Sequence, residues 1–102
     1  MAKLYVSEYK EMAKVQASKD DLAAPQEPAV VEQTPVVIGA GSLQSAAFGE
    51  TTRFVRIHTD VICSIVFGLS PTATADSKRM ALNTTEYFGV VPGHKVAVIT
   101  NT

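Results

Sequence analysis

Tryptophan is absent from this chain, cysteine occurs once, and nine lysines and arginines stand against ten acids. A single cysteine, Cys63, cannot close a disulfide within the chain, so the fold must hold without a covalent staple, and the expected site of synthesis is a reducing cytoplasm. The formal net charge of −1 offers no field that gathers phosphate, so nucleic acid is not an expected partner. No apolar run approaches membrane-spanning length, and the opening residues reach Glu8 after only Leu4, Tyr5 and Val6. Neither membrane insertion nor a secretory leader is therefore expected. What remains is 102 residues, enough for one small domain. Such a domain buries about two thirds of the surface its unfolded chain exposes. Its own core supplies modest stability, and a homo-oligomer, dimer or trimer, is expected.

The residues that are present divide the chain near position 29. Residues 1–29 carry nine of the nineteen charges and two residues that are Val, Ile or Thr, whereas 30–102 carry 26 of these stiff side chains. Such side chains favour pleated strands. The expected organisation is an extended N-terminal arm, 1–29, and a β-sandwich domain, 30–102. Within the arm, Tyr5, Tyr9 and Met12 recur at helical spacing, while Leu4, Val6 and Glu8 alternate with Tyr5, Ser7 and Tyr9 as a strand would. The strand is favoured, followed by irregular or weakly helical chain. With few apolar residues the arm cannot fold alone and must dock on its own domain or a neighbour.

Beyond Pro28, short strands alternate with turns. Strands are predicted over 30–38, where Pro35 suits an edge or a bulge, over 43–48, and over 52–59. In the last of these Arg53, Val55, Ile57 and Thr59 face one way and Phe54, Arg56 and His58 the other. The run 61–67 is almost wholly apolar, as in a central strand covered on both faces. A surface loop over 70–77, a brief strand over 79–82, a strand over 84–91, a turn at Pro92-Gly93 and a strand over 95–100 complete the pattern. Seven or eight short strands without a convincing helix predict an all-β, antiparallel sandwich, jelly-roll-like in class.

Reactive chemistry is sparse. Val36-Val37-Ile38-Gly39-Ala40-Gly41 opens like a dinucleotide fingerprint, but Gln44 stands where the third glycine belongs and no crossover helix follows, so an ordinary turn is expected. His58 and Asp60 share at most one strand face, and His94, Glu86 and Cys63 do not complete a metal-ligand or nucleophilic pattern with them. Asn83-Thr84-Thr85 matches a glycosylation acceptor, a match expected to be chance because no secretory leader is expected. No catalytic residue, cofactor or metal is assigned, and an enzyme is not expected. Tyrosine and arginine are the types enriched at contact hot spots, which makes Tyr5, Tyr9, Arg53 and Arg56 the interface candidates.

Five stretches carry a further likeness: 52–60 (Thr-Arg-Phe-Val-Arg-Ile-His-Thr-Asp), 63–68 (Cys-Ser-Ile-Val-Phe-Gly), 71–74 (Pro-Thr-Ala-Thr), 85–90 (Thr-Glu-Tyr-Phe-Gly-Val) and 95–99 (Lys-Val-Ala-Val-Ile). The likeness they carry spans most of 28–102, with a weaker extension to Lys3-Leu4-Tyr5-Val6-Ser7-Glu8-Tyr9. In style they resemble small head decoration (cement) or auxiliary capsid proteins of tailed double-stranded-DNA bacteriophages. The resemblance implies a structural virion protein, made in the bacterial host cytoplasm and located on the capsid surface. There it would bind the outer face of the major capsid protein shell and stabilise the head. A neck or tail adaptor or a head-fibre base would share the same sandwich. A small ligand- or sugar-binding β domain is a third possibility, weakened by the lack of tryptophan.

Overall fold

A computed structural model describes residues 2–14 and 21–101. Eleven strands form among them: β1 (Lys3–Tyr9), β2 (Met12–Lys14), β3 (Asp21–Pro25), β4 (Val31–Glu32), β5 (Val36–Val37), β6 (Leu43–Gln44), β7 (Phe54–Thr59), β8 (Cys63–Gly68), β9 (Lys78–Met80), β10 (Thr84–Gly89) and β11 (Lys95–Thr100). The chain is all-β among the described residues, and every pairing is antiparallel. One sheet has the order β10-β7-β1-β4, with β5 also on β1, and the other the order β6-β11-β8-β9. Their inner faces meet in a core of Leu4, Val6, Val55 and Ile57 from the first sheet and Cys63, Ile65, Met80, Val96 and Val98 from the second.

The pairings nest. β6 joins β11, β7 joins β10, and β8 joins β9. Strands β6 to β11 thus form one long two-stranded ribbon that crosses between the sheets as it rolls, an order compatible with a jelly roll. Flanking the ribbon, β1 lies between β7 on one side and β4 with β5 on the other.

That position differs from the sequence expectation of an arm ending at 29. Residues 3–9 are a central strand with Leu4 and Val6 buried. Their strand alternation was legible, and they dock on their own domain. Among the described residues only β2 and β3 stand apart, as a two-stranded sheet pairing with no other described strand. The expectation of weakly helical chain falls partly on 15–20, outside the described residues, and on Met12–Lys14, which is strand.

Pro35 meets both of its expected uses. β4 and β5 are the edge of the first sheet, and between them the register shifts: Leu4 pairs with Val36 and Ser7 with Glu32. Three steps along β1 face four on its partner, the signature of a bulge, and Pro35 sits inside it. The strand predicted over 43–48 is regular only at Leu43–Gln44. Its remainder still follows β11, with Ser45 N–H donating to the Val96 carbonyl and Phe48 N–H to that of His94. The strand predicted over 79–82 ends at Met80, because Leu82 and Asn83 turn and Asn83 takes a positive φ of 52°. Asparagine tolerates that conformation well. Gly93, with a φ of 86°, makes the turn predicted after Pro92.

The two sheets differ on their outer sides. β8 is an inner strand of its sheet, buried at Cys63 and Ile65 on the core side and at Ser64 on the other. The outer cover is the loop 69–77. Gln44 Nε2 donates to the Pro71 carbonyl at 2.8 Å, Ala73 N–H donates to Ser42 Oγ at 2.8 Å, and Asn101 Nδ2 reaches both Ser64 Oγ at 2.6 Å and the Ala75 carbonyl at 3.2 Å. Pro71 and Ala73 are buried there. The apolar run 61–67 is thus covered on both faces, as its composition requires.

Candidate functional site

The first sheet's outer face has no such loop across it among the described residues. Strand alternation sets its side chains in three rows. Tyr5, His58 and Thr85 form one, Ser7, Arg56 and Tyr87 the next, and Tyr9, Phe54 and Gly89 the third. All three tyrosines of the chain stand on this one face.

Tyr5 and Tyr87 are among the exposed large side chains, at 39% and 52%. Tyr5 packs at 6.1 Å, ring to ring, against His58, whose Nδ1 is 2.8 Å from Thr85 Oγ1. Asp60 closes the rim: its Oδ2 accepts the Lys3 backbone N–H at 3.2 Å, and its Oδ1 lies 4.0 Å from His58 Nε2. Tyr5, Arg56, His58 and Asp60 line a shallow depression. Arg56 itself is partly buried and has no ion-pair partner among the described residues.

At the other end of the face, Tyr9 is 3% exposed, stacked on Phe54 at 5.4 Å. Its hydroxyl donates to Glu27 Oε2 at 2.8 Å. Burial first, then this hydrogen bond and the negative charges of Glu27 and Glu32, push the phenol from 10.0 up to about 12. The folded state holds the proton longer than the unfolded chain does. Its contribution to stability is therefore complete below pH 10 and is lost between pH 10 and about 12. An ultraviolet titration should show one late phenolate step that Tyr9→Phe removes, together with that part of the alkaline loss of stability; an unchanged titration would contradict the assignment.

Of the four residues singled out in the sequence, the structure brings Tyr5 and Arg56 together, places Tyr9 on the same face but buried, and leaves Arg53 exposed beyond the start of β7. Tyr87 was missed. Its signal was available, since alternation with the half-buried Phe88 turns it outward. Between Tyr87, Phe54 and the base of the β2–β3 pair, at Met12, Ala24 and Pro25, lies an apolar notch of about 350 Å³.

A larger groove, about 640 Å³, runs between the short edges β4–β5 and β6, with Glu8 on its wall. Glu8 is 1% exposed, and its carboxylate is engaged on both oxygens. Oε1 accepts from Gly49 N–H at 2.8 Å and Thr52 Oγ1 at 2.6 Å, and Oε2 from Gln33 Nε2 at 2.7 Å. Three donors on one carboxylate tie β1 to the bulge and to the turn before β7, which is a structural use. Cys63 is wholly buried, and burial raises its thiol pKa against a smaller lowering from the hydrogen bond to Thr59. Among the described residues no three of His, Cys, Asp and Glu converge as metal ligands. The glycines at 39 and 41 lie in the connection that carries the chain from β5 in one sheet to β6 in the other. No helix among the described residues is long and apolar enough to cross a membrane. Compared with known protein families, curated proteins and solved structures, the chain matches none.

Proposed function

We propose that this chain is a structural protein that docks on a larger protein assembly through the outer face of its five-stranded sheet. One observation carries the reading. The second sheet's outer side is sealed by the loop 69–77, whereas the first presents Tyr5, Tyr87, His58 and Arg56 to solvent. Tyrosine and arginine concentrate where partners bury surface, and a β-sheet presents them on a rigid, pre-ordered platform.

The resemblance to phage-head auxiliary proteins suggests what the assembly is. In this reading the chain decorates or cements the capsid of a tailed double-stranded-DNA bacteriophage. It binds the outer face of the major capsid protein and holds neighbouring subunits together by added buried area, without catalysis. Contacts repeated over a symmetric shell act multivalently, so a modest single face suffices, and self-association into a dimer or trimer would multiply it further. The β2–β3 pair, flanking the same face, widens the contact.

Quantitative mass spectrometry of purified virions tests this. Copies in a near-integral lattice ratio to the major capsid protein are expected. A count of about one ring's worth would replace this reading with a neck or tail adaptor, and absence from the particle would overturn both.

A further inference from the structure

Two neighbouring features of the open face describe one kind of partner, given the docking reading above. The first is Arg56, third of the six residues of β7, flanked by Ser7 on β1 and Tyr87 on β10. It has no carboxylate partner among the described residues, and the nearby acid, Asp60, is already engaged by the Lys3 N–H and faces His58. A partly buried guanidinium beside aromatic rings has a low cost of ordering and a planar fork of donors that matches a carboxylate. The second feature is the apolar notch by Phe54 and Tyr87. Phe54 and Arg56 are two residues apart on the same side of one strand, so the notch and the cation lie about 7 Å apart along it.

We propose that the partner meets this face with a short extended segment bearing an acidic side chain for Arg56 and, two or three residues away, an apolar side chain for the notch. A second copy of this chain fits poorly. Arg56 is central on the face, so a two-fold axis through the face would set two unpaired guanidiniums against each other. Nucleic acid also fits poorly, because a lone arginine in a chain of net charge −1 does not track a phosphate backbone, and the notch asks for an apolar group.

The test is selection from a displayed library of random dodecapeptides on the immobilised full chain, with Arg56→Glu, Tyr87→Ala and Arg79→Glu as parallel baits. Arg79 is exposed on the other sheet and serves as a control of equal charge change. The expected result is enrichment of an acid two or three residues from an apolar residue. Retention should fall at least about tenfold on Arg56→Glu. The preference of that bait should move to lysine or arginine, Tyr87→Ala should lose the apolar preference, and Arg79→Glu should behave as wild type. Thermal melts of each bait confirm that it is folded. Enrichment without the acid, an acid preference unmoved by Arg56→Glu, or no enrichment at all would overturn the inference. The capsid reading fails separately: a chain that selects the motif but is absent from virions loses the capsid and keeps the binding face.

Discussion

Replacing Glu8 by alanine is expected to cost about 3–5 kcal/mol, the scale for removing one partner from a buried, charged hydrogen-bond set. The substitution strips the acceptor from Gly49 N–H, Thr52 Oγ1 and Gln33 Nε2 at once. It also leaves a void at a position that is 1% exposed. Gln33 is the hinge of the network, because its Nε2 also donates to the Ala46 carbonyl at 3.3 Å and its Oε1 accepts Ala46 N–H at 3.2 Å. Glu8→Gln keeps the shape but places a donor where one oxygen accepted, so it should cost less than alanine, about 1–3 kcal/mol. Against a total stability of about 5–15 kcal/mol for a domain of this size, the alanine variant should lose a large part of its resistance to urea. Equilibrium urea unfolding measures both. A midpoint for Glu8→Ala equal to that of wild type would show that the carboxylate anchors nothing.

Leu4→Ala should be comparably damaging, about 2–5 kcal/mol, although Leu4 belongs to the segment whose composition marks it as an arm. Leu4 is fully buried among Val36, Ile57 and other core side chains, on a strand paired on both sides. Its removal leaves a cavity between the sheets that a rigid, paired strand cannot collapse to fill. A dispensable arm would give no change in the midpoint of thermal or urea unfolding. The two outcomes separate the integrated strand from the arm without any partner being present.

These two residues also show where the sequence was legible and where it was not. The alternation in 52–59 sets Arg53, Val55, Ile57 and Thr59 on one side; the last three are buried, because a strand with one covered face writes period-two patterning directly, while Arg53 precedes the strand and is exposed. The strand at 95–100 and the turn at Pro92-Gly93 are equally plain, since proline and glycine punctuate and β-branched residues follow. The same alternation runs through Leu4, Val6 and Glu8. There the charges that follow, from Lys10 to Asp21, outweigh it in any compositional count, and the segment takes on the character of its neighbours. Glu8 is illegible for a further reason: a carboxylate at an inward position reads as surface until its three donors, from Gln33, Gly49 and Thr52, are brought to it by the fold.

The candidate site divides in the same way. Residue type pointed to Tyr5, Tyr9, Arg53 and Arg56, and strand parity put Arg56 on one face with His58, but only the pairing of β1 with β7 sets Tyr5 beside them. Parity cannot say which of two outer faces stays open. That depends on the loop 69–77 lying across the second sheet through Gln44, Ser42 and Asn101, contacts that span 26 to 31 residues of sequence. The notch depends likewise on Met12 and Pro25 reaching Phe54 and Tyr87.

Tyrosine-directed nitration, read by mass spectrometry on the free protein and on the protein bound to phage heads, tests the open face most directly. All three tyrosines lie on it, and Tyr9, at 3% exposed, is an internal reference that reacts little in either state. Docking through this face predicts that Tyr5 and Tyr87 react when the protein is free and are protected when it is bound. Bound protein in which both tyrosines stay as reactive as in the free chain would place the contact elsewhere and contradict the account.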